Sequence, residues 1–147
     1  MRAQQRWLVA FYALVALAAL AATWSQNLQL MAPGMGPLDP YAVFIEQASI
    51  NPAARSITVD IGFFLLAAAA FMIIEARRLG VRFVWAYILL GFLIAISVTF
   101  PLFMIAREFR LAALADPGGA WSMKGVDLIG LAVVAAAVLA LSWSILT

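Results

Sequence analysis

The sequence predicts an all-α integral membrane bundle of about four transmembrane helices plus a short interfacial amphipathic helix. Of its 147 residues, 67% are hydrophobic and 11% charged, against about half and about a quarter in soluble domains. Mean hydropathy is +1.05, and the apolar residues gather in runs long enough to cross a hydrocarbon core of about 30 Å. A soluble fold of this size would leave too much apolar surface facing water. The whole of 1–147 reads as a single helical membrane domain.

The first apolar run, residues 7–24, follows Arg2 and Arg6 and is about 26 Å long as a helix. Ala19, Ala21 and Ala22 also suit the cleavage region of a secretory signal, but we read the run as a retained span. Pro33, Gly34, Gly36 and Pro37 then mark a loop. Asp39–Pro40 has the form of an N-cap followed by a proline in the first turn. The short helix it opens, about 40–50, places Phe44, Ile45 and Ala48 on one face, as in a helix lying on the membrane. Asn51–Pro52 repeats the start signal and opens a second span over about 52–79, closed by Gly80 as a left-handed C-terminal residue. A third helix follows over about 82–110, antiparallel to the second because the turn at Gly80 is short. Pro101 should kink it and free the Ser97 carbonyl. Asp116–Pro117–Gly118–Gly119 breaks the chain, and the run 126–146 gives a fourth span. Trp7, Trp24, Trp85, Trp121 and Trp143 fall near segment ends, where indole prefers the headgroup level.

With this map Arg2, Arg6, Arg77, Arg78 and Arg82 share one side, and Arg55, Arg107, Arg110 and Lys124 the other. The excess is small, but the three arginines around the tight turn place that side, and both termini, in the cytoplasm. The expected location is the cytoplasmic membrane. The net charge of +2 belongs to helix ends, so no nucleic-acid partner is expected. Neither cysteine nor histidine is present, which removes the common zinc, haem and iron–sulfur ligand sets and imidazole acid–base chemistry. No metal and no cofactor is expected. No phosphate-binding glycine loop or nucleophile elbow occurs.

Several pieces together resemble a known family. They are Asn51-Pro52-Ala53-Ala54, Asp60, Glu75-Ala76-Arg77-Arg78-Leu79-Gly80, Pro101-Leu102-Phe103 and Arg107-Glu108. In this spacing, over roughly residues 7–112, the chain is similar to the small bacterial membrane proteins grouped as domain of unknown function 2834. The resemblance implies a bacterial membrane protein and no reaction, and it leaves the fourth span outside its pattern.

Among the side chains, Asp60 stands out, because an intramembrane carboxylate costs several kcal/mol unless it is paired or protonated. It is expected level with position 100, where the Ser97 carbonyl and the Ser97 and Thr99 hydroxyls offer partners. Glu46, Asn51 and Arg55 could rim a cleft with it. Glu75 with Arg78, and Arg107 with Glu108 and Arg110, read as solvated anchors at helix ends. Ala67–Ala70 and Ala132–Ala137 suit close helix packing or room for a flat lipophile. The first expectation is a non-enzymatic accessory or assembly protein, or one that binds a lipophilic molecule. The alternative is a small membrane enzyme on a lipid, isoprenoid or carotenoid, with Asp60 or Glu46 as acid–base group. A transporter subunit comes third. The partners expected are the bilayer and either a lipophilic molecule or other membrane subunits.

Overall fold

The structure, a computed structural model, describes residues 2–114 and 124–146. Asp116–Gly119 and Trp121 lie outside them. The described elements are all helical: α1 (Ala3–Asn27), a 3-10 turn (Leu28–Leu30), α2 (Asp39–Ala48), α3 (Pro52–Leu79), α4 (Val84–Leu90), a π turn (Gly91–Ala95), α5 (Ile96–Ala113) and α6 (Gly125–Leu146). Four segments are long and apolar enough to cross a membrane: Ala3–Leu30, Pro52–Leu79, Val84–Ala113 and Gly125–Trp143.

Helix ends follow local chemistry. Asn51 caps α3 by accepting from the Ala54 amide at 2.9 Å, with Pro52 in the first turn. Asp39 does not act as the expected N-cap. It is already inside α2, and its carboxylate accepts from the Gly36 amide behind it at 2.7 Å, which tightens the preceding turn. Gly80 ends α3 at φ 69°, ψ 33°. Phe83 starts α4 in the same left-handed region, at φ 59°, where a bulky residue pays about 1–2 kcal/mol.

The expected continuous third helix over 82–110 is divided. Ala95 is extended, at φ −180° and ψ 140°, and the chain turns back there. The Tyr87 and Phe103 rings meet edge to face at 5.7 Å, whereas sixteen residues along a straight helix span about 24 Å. The physical reasons are length and fit. Thirty residues of straight helix would run about 45 Å, well past the hydrocarbon core. Gly91 carries no side chain, so α5 can press its Thr99 hydroxyl to within 3.0 Å of where a Cβ would stand. Backbone at such a turn must find partners inside the protein. Thr99 Oγ1 donates to the Ala95 carbonyl at 3.4 Å, and Tyr41 of α2 donates to the Leu93 carbonyl at 3.3 Å.

The reversal makes α5 parallel to α3 rather than antiparallel. Phe100 packs between Phe64 and Phe71, at 6.5 and 6.0 Å, and Arg107 reaches Glu75. The core lies among Leu65, Ala68, Met72 and Ala76 of α3, Val84 and Ile88 of α4, and Ile96 and Phe103 of α5. The α3 residues recur every three or four positions, one face of the helix. On its other side α5 packs against α1. These run antiparallel: Trp24 lies by the hairpin tip and Tyr12 by Glu108. The first turns of α6, at Leu128 and Leu131, sit beside Gln4, Trp7, Leu8 and Phe11.

Candidate functional site

The fold concentrates polar chemistry at the end of the bundle where α3 and α5 finish. Glu75 is 7% exposed and takes three donors. Arg107 Nε donates to its Oε2 at 2.7 Å, and Arg78 forks across both oxygens at 2.8 Å. Arg107 Nη1 then donates to Glu108 Oε1 at 2.9 Å. Glu108 is 1% exposed, and its second oxygen has no partner among the described residues. Tyr12 lies in the field of Glu108 and Arg107. Next to this network Arg110 Nε donates to the Leu79 carbonyl at 3.0 Å, which satisfies an orphan at the C-terminal end of α3. Gly80 beside it is required by its positive φ, and a Cβ there would displace the far end of the Arg110 side chain, 2.9 Å away. The network ties α3 to α5 at the end where both finish. Chemically it is a closed set of ion pairs with one free acceptor.

At the other end is a cavity of about 190 Å³. Its walls are Trp24 and Asn27 of α1, Leu30 and Met31, Pro37 and Pro40, Tyr41 and Phe44 of α2, and Phe92–Ile94 of the hairpin tip. Trp24, one of its lining residues, has its indole N–H buried without an acceptor among the described residues. Such a donor costs about 1–3 kcal/mol unless something accepts from it. The volume exceeds the roughly 150 Å³ that holds a benzene ring and falls below the range of about 300–1,000 Å³ typical of drug-sized ligands. One ring or the end of one chain fits.

Two of the pieces that carry the family resemblance meet at the first of these places: Glu75, Arg78 and Gly80 of one, Arg107 and Glu108 of the other, stand in or beside the ion-pair network. A family profile described as "Protein of unknown function DUF2834" matches residues 11–109. The chain belongs to the DUF2834 family. The match takes in α2 to α4 and most of α1 and α5, and leaves out α6. No curated protein and no solved structure matches the chain.

Against this frame the residues singled out from sequence are dispersed. In this DUF2834 chain Asp60 is exposed and has no hydrogen bond among the described residues. Phe100 is level with the stretch between Phe64 and Phe71, so Asp60 falls about 11 Å short of it along α3. The expected bond from Asp60 to the Ser97 carbonyl or its neighbouring hydroxyls is therefore absent. The reversal at Ala95 shifted the register on which that pairing rested. Ser97 is exposed, while Thr99 is buried in the hairpin turn. Asn51 caps α3, and Arg55 Nη1 donates to the Ser49 carbonyl at 3.0 Å, so both serve the α2–α3 corner. Glu46 is exposed on α2. Conversely, Glu75, Arg107 and Glu108 read as solvated anchors and are instead interior partners. No local signal marked them, because their burial follows from the register between α3 and α5 rather than from neighbouring residues.

Proposed function

We propose that this chain is a non-enzymatic protein of the bacterial cytoplasmic membrane that binds one end of a lipophilic molecule, a ring or chain terminus. The observation that carries this is the cavity under α2, with mostly apolar walls and room for one ring or chain end. That end would fill the cavity, and the rest of the molecule would lie among the lipid-exposed side chains outside. The test is native mass spectrometry of protein gently extracted from its own membranes, repeated after exchange into synthetic lipid. A recurrent bound lipophile is expected in the first sample. Trp24→Ala removes one wall of the cavity, and should weaken retention about tenfold through the lost apolar contact. Retention unchanged by this substitution, or no recurrent ligand, would overturn the proposal.

The reading also carries an orientation. Arg107 and Arg110 share the end of the bundle that holds Arg2, Arg6, Arg77, Arg78 and Arg82. Lys124 precedes the α6 turns beside α1, and Arg55 stands apart at the opposite end of α3. Of nine basic residues, this leaves a single arginine on the far side, an asymmetry that supports a cytoplasmic arginine-rich end. The N-terminus then lies inside. If α6 crosses, the C-terminal end lies outside, unlike the expectation of two cytoplasmic termini.

A further inference from the structure

The sharp turn between α3 and α4 leaves a cleft of about 430 Å³, bounded by Arg77, Gly80, Arg82, Phe83 and Trp85. Three features set it apart from a merely basic surface. First, most neighbouring cations are engaged. Arg78 and Arg107 are committed to Glu75, and the Arg110 Nε to the Leu79 carbonyl. Arg77 and Arg82 make no hydrogen bond or ion pair among the described residues, yet both line the cleft. Second, the turn is held by two left-handed residues, Gly80 and Phe83. A bulky aromatic in that conformation is uncommon, and observed strain of this kind points toward function. Third, the residue so held is turned outward: Phe83 is 80% exposed and Trp85 57%, at the end of a span, where aromatic rings meet acyl chains and headgroups together.

We propose that this cleft binds the headgroup phosphate of an anionic phospholipid, with Arg77 and Arg82 on the phosphate and Phe83 and Trp85 against the upper acyl chains. The pairing of two uncommitted guanidiniums with two exposed aromatics matches an amphiphile. A free phosphate would use only the arginines. Guanidinium suits the phosphate because its planar fork donates two parallel hydrogen bonds. This site is at the opposite end of the molecule from the cavity under α2 and does not depend on it.

The experiment is native mass spectrometry of the full chain released from nanodiscs of phosphatidylglycerol mixed with phosphatidylcholine. Wild type should retain phosphatidylglycerol in preference, at about one molecule per chain. R77Q/R82Q should lower that retention about thirtyfold, two arginine contributions near an anionic surface, while R2Q/R6Q, which removes equal charge from the same end, should leave it nearly unchanged. Phe83→Gly, which relieves the backbone and deletes the ring, should also weaken retention. Excess glycerol phosphate should fail to displace the lipid. Circular dichroism and gel filtration establish that the variants are folded, and R77K/R82K offers a folded alternative that keeps charge but loses the fork. Equal losses from the two arginine pairs would reduce the effect to diffuse surface charge and overturn the site. Displacement by glycerol phosphate would overturn the lipid assignment.

Discussion

Burial and partnership, not charge alone, decide which side chains matter here. Glu75 and Asp60 are carboxylates on the same helix, but one is enclosed by two arginines and the other is exposed without a bond. Removing one member of a buried pair strands the other, at about 3–5 kcal/mol. The Arg78 contribution is smaller, because that side chain is 60% exposed and screened. Glu75→Ala and Arg107→Ala should each lower unfolding stability in mixed micelles by about 3 kcal/mol, toward the low end because the pair sits near a helix end. The double variant should lose less than the sum, since both single variants break the same Glu75–Arg107 pair, and the cost that remains includes Glu108, left without its Arg107 donor. Asp60→Leu should stay within about 0.5 kcal/mol of wild type. A cost at position 60 equal to that at position 75 would contradict this geometry.

The folded-back pair of α4 and α5 is the element that gives the protein its shape. Its close approach depends on Gly91, where a Cβ would meet Thr99 Oγ1 at 3.0 Å. In an ordinary helix Gly→Ala stabilises by up to about 1 kcal/mol. Gly91→Ala should instead destabilise by about 1 kcal/mol, the cost of crowding a packed contact, and Thr99→Ala should relieve most of that cost in the double variant. Chemical denaturation of the four proteins of this cycle reads the sign directly. A stabilising Gly91→Ala in the Thr99 background would mean that α4 and α5 are not pressed together there. The helix caps, by contrast, were legible from single residues. Asn51–Pro52 and Gly80 behave as their types require, because a cap needs only a few neighbouring residues to form its bonds.

At the scale of the molecule the reversal changes which segments share a side of the membrane. Cysteines introduced at Val81 and Leu114 should be labelled from the same face, and one at Gly34 from the opposite face. A straight passage of 84–113 would instead pair Leu114 with Gly34, and that result would remove the hairpin. With the orientation proposed above, Gly34 alone reacts with an impermeant reagent in intact cells.

Composition and periodicity were enough for the all-α membrane class and for most helix ends, since transfer to lipid and helix capping depend on residue types taken locally. They did not reveal the division at Ala95. Nothing in an apolar run of thirty residues distinguishes one overlong span from two shorter helices until packing rewards the second, through Tyr87 against Phe103 and Gly91 against Thr99. Once α5 ran parallel to α3, Arg107 came to Glu75 and left Asp60 behind. The sequence by itself determined that this chain lives in a bilayer and where most of its helices begin and end. Only the tertiary structure decided which charges meet, because that depends on the register between helices distant in sequence.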